Sequence, residues 1–64
     1  MKIYLEEENR TLEKNFNGKV IELLKKLKIN PQTVLVTRNN ELITEEDVLK
    51  NKDSVKILSV ISGG

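Results

Sequence analysis

Sixty-four residues with a net charge of +1 and 33% charged side chains describe one small, well-hydrated domain, at a size where a single core is only marginally sustained. The chain contains neither Cys nor His, which removes disulfides, thiolate nucleophiles, zinc–thiolate sites and the commonest general base. A deep catalytic pocket would consume residues needed for packing, and nearly balanced charge is no nucleic-acid footprint; neither an independent enzyme nor a direct nucleic-acid binder is expected.

At the N-terminus Ile3 and Leu5 alternate with Lys2 and Tyr4, the period of a half-buried strand. This run holds no apolar stretch long enough for a signal peptide or a membrane span, so the cytoplasm is the expected compartment. Polar Glu6 to Arg10 reads as a turn, and Thr11 to Phe16 as a second strand with Leu12, Lys14 and Phe16 on one face. Lys14 interrupts that face, which leaves Phe16 as its core residue.

Asn17-Gly18 marks a turn, with Asn17 in position to cap a helix. Val20, Leu23, Leu24 and Leu27 then recur at i, i+3, i+4 and i+7, the apolar stripe of an amphipathic helix. Lys25, Lys26 and Lys28 gather towards its C-terminus, where the macrodipole favours cations; a solvated face accounts for them better than a phosphate site does. Pro31 prevents continuation.

Thr33 to Arg38 is β-branched and continuous, a strand signal. Asn39-Asn40 suits a tight reversal into a short return strand, Glu41-Leu42-Ile43. Thr44-Glu45-Glu46-Asp47 resembles a capping box and predicts a short helical turn through Val48 and Leu49. Adjacent carboxylates in a first helical turn point in different directions, so Glu45, Glu46 and Asp47 are not read as metal ligands. After a polar turn at Asn51 to Asp53, Ser54 to Ile61 forms the last strand, with Val55 and Ile57 on one face and Lys56, Leu58 and Val60 on the other.

One amphipathic helix has one stripe to bury, and one sheet face covers it, giving a two-layer α+β domain. The predicted core is Ile3, Leu5, Phe16, Val20, Leu23, Leu24, Leu27, Val34, Val36, Val55 and Ile57. On the opposite sheet face Leu35, Thr37, Leu58 and Val60 form a candidate partner-binding patch.

The sequence closes on Ser62-Gly63-Gly64. Glycines there add nothing to a core, but a thread without side chains can enter a narrow active site. A hairpin, a helix and further strands in that order are the order of the β-grasp fold, in which the first and last strands lie parallel at the centre of a mixed sheet of four to five strands. Together with the Gly-Gly end, the whole chain resembles the ubiquitin-like sulfur carriers of the ThiS and MoaD type and the related small archaeal modifier proteins. The segment Val36-Thr37-Arg38-Asn39-Asn40-Glu41-Leu42-Ile43 matches the Asn-containing turn and short apolar strand of ThiS-like chains, with Asn40 where that family often has Gly.

The resemblance implies a single β-grasp domain over 1–64 with a flexible tail at 62–64, and no cofactor held by the chain itself. It implies that Gly64 is adenylated by an E1-like enzyme of the ThiF or MoeB kind using ATP and Mg²⁺. Sulfur from a sulfurtransferase or cysteine desulfurase then converts it to a thiocarboxylate. The sulfur passes to a biosynthetic acceptor such as thiazole synthase, to molybdopterin or to tRNA. The alternative is a protein modifier conjugated through Gly64 to substrate lysines.

Overall fold

Alternation at the N-terminus produces strand β1 (Lys2–Leu5), with Ile3 and Leu5 buried, Lys2 exposed and Tyr4 between. The computed structural model describes residues 1–60; Ile61, expected to end the final strand, and the tail at 62–64 lie outside the described residues. A turn at Glu6–Asn9, with Asn9 at φ 48° and its side chain accepting from the Tyr4 hydroxyl at 2.9 Å, leads into β2 (Arg10–Glu13). This strand is shorter than Thr11 to Phe16. Beyond Glu13 the Lys14 N–H still reaches the Met1 carbonyl at 3.0 Å, but the Phe16 N–H turns to the Asn51 side chain at 2.9 Å. Phe16 therefore enters the core from a loop.

Two residues, β3 (Gly18–Lys19), precede helix α1 (Val20–Lys26), whose Val20, Leu23 and Leu24 are buried. Each such side chain contributes about 1.5–3 kcal/mol relative to exposure. Asn17 does not cap the helix. Lys19 occupies the cap position with no side-chain bond, and the first helical N–H groups donate to carbonyls of a distant loop: Val20 to Asp47 at 2.9 Å and Ile21 to Glu45 at 3.1 Å. The Asn17 side chain accepts instead from the Asn51 N–H. Gly18, at φ 152°, is placed where a side chain would crowd the Phe16 ring and the Glu22 carboxylate, both 3.1 Å from an added Cβ.

The helix also ends before Pro31. Ile29 N–H donates to the Leu24 carbonyl at 2.9 Å and Lys28 N–H to that of Lys25 at 3.1 Å, with Lys28 left-handed at φ 59°. This is a Schellman closure, in which an apolar residue just past the cap packs back on the last turn; Ile29 is half-buried against the core. Pro31–Thr33 forms one 3₁₀ turn capped by the Asn30 side chain, and β4 (Val34–Arg38) follows.

Asn39 and Asn40 both have positive φ, 50° and 71°, as a two-residue hairpin turn with the twist of its strands requires. They join β4 to β5 (Glu41–Ile43). The segment after β5 departs from expectation. Thr44 N–H donates to the Asp47 carboxylate at 2.7 Å, which is half of a capping box. No helix follows: Val48–Leu49 is strand β6, paired antiparallel with β3. The carbonyls of Glu45 and Asp47 are taken by α1, the Val48 carbonyl accepts from the Arg38 guanidinium at 2.8 Å, and Leu49 is driven fully into the core. Long-range bonds hold this stretch extended.

The last strand, β7 (Ser54–Ser59), completes a five-stranded sheet in the order β2-β1-β7-β4-β5, with β1 and β7 parallel at its centre. One helix on one mixed sheet with this topology is the β-grasp arrangement. Of the expected core, Leu27 and Val34 are half-buried and pack against the buried set, which contains Leu49 as an unpredicted member.

Candidate functional site

Strand β7 is bordered on both sides, by β1 in parallel and by β4 antiparallel. Its pairing with β4 runs to Val34 opposite Ser59, and one step further the Val60 N–H donates to the Thr33 carbonyl at 2.9 Å. Residue 60 is thus still tied to the sheet where the chain continues to 61–64. Ser62, Gly63 and Gly64 lie outside the described residues.

Side chains alternate between the two faces of a strand. Val55 and Ile57 are buried under the helix, so Lys56 and Leu58 point to the open face. Leu35 stands directly across from Leu58, and Thr37 across from Lys56. Leu35 is 44% exposed and Val60, two residues beyond Leu58, is 36% exposed; Leu58 and Thr37 are half-buried. Three of the four patch residues, Leu35, Thr37 and Leu58, therefore share adjacent positions on one face, and Val60 lies at its tail end.

Leu42 was missing from the predicted patch. The two-residue Asn39-Asn40 turn pairs Thr37 with Leu42, which places Leu42 on the open face at 65% exposure. The signal was present: a two-residue turn fixes the register, and register fixes the face. Leu42, Leu35, Leu58 and Val60 give a small domain an apolar margin that packing alone does not call for.

Other candidate groups are engaged in holding the fold. The Asp47 carboxylate accepts from the Thr44 N–H and hydroxyl, and Glu46 pairs with Lys19 at 3.3 Å. Among the described residues no group of three or more acidic side chains is placed to hold a metal. Of the helix lysines, Lys26 lies 5.7 Å from the Phe16 ring centroid, and Lys28 is the left-handed residue of the helix closure. Among the described residues no helix is long and apolar enough to cross a membrane.

A parallel central strand pair, a tied root and a terminal Gly-Gly agree with the result of comparison with known proteins, which matches the ThiS family over residues 3–64. The chain belongs to the ThiS family. It is 40% identical over 57 residues to Sulfur carrier protein TtuB of Thermus thermophilus, covering 89% of this chain and 88% of that protein. It is also 38% identical over 58 residues to an uncharacterized protein of Archaeoglobus fulgidus, covering 89% and 85%. This is a ubiquitin-like sulfur carrier of the ThiS/MoaD type. Carriers of this family work with E1-like enzymes and sulfur donors, as substrates and not as catalysts.

Proposed function

We propose that this ThiS-family protein carries sulfur as a thiocarboxylate on Gly64. An ionised carboxylate is a poor electrophile, and a chain with no Cys or His has no nucleophile or base suited to activating it. Activation therefore comes from an E1-like enzyme. The Gly64 carboxylate attacks the α-phosphate of Mg²⁺-bound ATP, pyrophosphate leaves, and an acyl-adenylate forms. A persulfide sulfur on that enzyme or on a sulfurtransferase displaces AMP, and a thiol then cleaves the acyl disulfide to leave the thiocarboxylate. The sulfur goes to an acceptor of the thiamine-thiazole, molybdopterin or tRNA-thiolation kind.

The observation that carries the reading is the family match, which extends through Gly63 and Gly64, joined to a root that the Val60–Thr33 bond fixes on the central strand. From residue 60 four more residues reach at most about 14 Å. The activating enzyme must accordingly dock close to the root, and the open face of Leu35, Thr37, Leu42, Leu58 and Val60 is the docking surface in this reading. Gly63 and Gly64 keep bulk away from the attacked carbon and accept whatever backbone angles a narrow channel imposes.

Intact-mass spectrometry of the protein recovered from its native cells without reductant tests the reading. One oxygen replaced by sulfur, localised to Gly64, is the expected result. Gly-Gly remnants of this tail on substrate lysines, with no thiocarboxylate, would make the protein a modifier instead. Gly64→Ala is expected to leave the thermal midpoint unchanged and to reduce adenylation severely; normal ATP-dependent adduct formation by that variant would refute the proposed site.

A further inference from the structure

The apolar margin of the open face has a cation set into it. Lys56 lies between Tyr4 of β1 and Thr37 of β4, with Leu58 two residues along on the same face and Leu42 one strand beyond Thr37. The ion pairs found among the described residues join Arg10 to Glu8 and Lys19 to Glu46, so no carboxylate among them pairs with Lys56. The other charged residues that the register places on this face are Lys2, two positions from Tyr4, Glu13 opposite Lys2, and Glu6, two positions beyond Tyr4, where its N–H donates to the Ile57 carbonyl at 3.1 Å. Beside Lys56, the Thr37 hydroxyl is closed off from solvent and has no hydrogen-bond partner among the described residues.

In the free protein this arrangement costs little, because a lysine rests its stem on apolar neighbours and keeps its ammonium in water. Docking changes the balance. A partner that covers Leu35, Leu42 and Leu58 also strips water from the neighbouring ammonium, and a desolvated charge without a counter-charge opposes binding strongly. An unpartnered hydroxyl one cross-strand step away adds a donor in want of an acceptor.

We infer that the E1-like partner presents a carboxylate to Lys56, and that this pair is how the chain selects its activating enzyme. The inference rests on the docking face of the proposed function. The carboxylate accepts from the Lys56 ammonium and, as the flanking side chains shift, from the Thr37 hydroxyl. Apolar contacts then supply the area, while Lys56 discriminates between activating enzymes whose apolar docking surfaces are alike and whose charges differ.

The test is ATP–pyrophosphate exchange by the purified E1-like enzyme encoded in the same genome, with the full chain as variable substrate. Lys56→Glu, exposed and expected to fold normally, should raise KM about tenfold or more with kcat unchanged. Lys56→Met, which keeps the stem, should raise KM less and should lose the salt dependence seen with the unaltered protein. Changing the facing carboxylate of the enzyme to Lys should restore Lys56→Glu. If Lys56→Glu shows unaltered KM while Leu58→Glu is impaired, the docking face stands and this inference is overturned. If both behave like the unaltered protein, the face itself is wrong and the inference falls with it. Failure of the unaltered chain to be adenylated at all would overturn the carrier reading, from which this one descends.

Discussion

Leu49→Ala tests whether the segment after β5 is a strand sewn to the helix or the helical turn that its local sequence predicts. Leu49 is fully buried, with 0% of its surface exposed, while its neighbour Val48 is 54% exposed. Truncating a buried Leu costs about 2.7–5 kcal/mol through lost transfer energy and the cavity left behind. A domain of this length has roughly 3–10 kcal/mol of stability in total, so this one substitution removes a large share of it. At about 4–8 °C per kcal/mol for domains of this size, the thermal midpoint should fall by more than about 10 °C. Val48→Ala should stay within about 0.5 kcal/mol. Urea titration of both variants followed by far-ultraviolet circular dichroism measures the difference. A Leu49→Ala loss below about 1 kcal/mol, with Val48→Ala equal to it, would refute the buried strand and return the segment to a turn with both side chains half-covered.

Two further outcomes follow from the backbone and the loops. Lys28→Gly relieves the left-handed residue at φ 59° and should stabilise the domain by about 1 kcal/mol, read as a rise in the urea midpoint at constant slope; a fall would mean that Lys28 supplies more through its side chain than its backbone costs. Asn51→Ala removes the oxygen that accepts from the Phe16 N–H at 2.9 Å and the N-terminal amine at 3.3 Å, and should cost about 1–3 kcal/mol, with hydrogen exchange at Phe16 faster than in the parent; unchanged exchange would show that the side-chain bond does not hold that loop.

How far the chain could be read from its residues depended on the range of the interactions involved. The stripe Val20, Leu23, Leu24 and the alternations Ile3/Leu5 and Val55/Ile57 are local periodicities, and they led to the helix, the two central strands and most of the core. The failures are long-range. The Thr44 to Asp47 sequence contains a helix-starting signal, and half of it is used, but its carbonyls are consumed by the N-terminus of a helix more than twenty residues earlier. Nothing within the segment announces that. Asn17 was a reasonable cap by residue type, yet its side chain serves Asn51 across the fold. Pro31 bounds the helix, but its end is not marked in the sequence, because the left-handed position is held by Lys28, where glycine would have marked it. At the candidate site, alternation alone placed Lys56 and Leu58 on the open face. Leu42 needed the hairpin register in addition.

The terminal segment is attached to the part of the sheet best able to hold it. Chain ends fray unless they are tied down, and an edge strand such as β2 or β5 has a neighbour on one side only. β7 has four paired positions with β1 and five with β4, and its core side chains, Val55 and Ile57, are 2% and 3% exposed. A pull on the tail by an enclosing enzyme therefore acts along a strand that can yield only by breaking two ladders and withdrawing buried side chains. The same strand carries Lys56 and Leu58 on its open face immediately before the tail root. Under the proposed function, a partner bound to those side chains takes hold of a paired central strand whose continuation is the segment to be activated. In that reading the strand sets the distance between grip and root, so the fold itself meets part of the entropy of positioning the carbon to be activated.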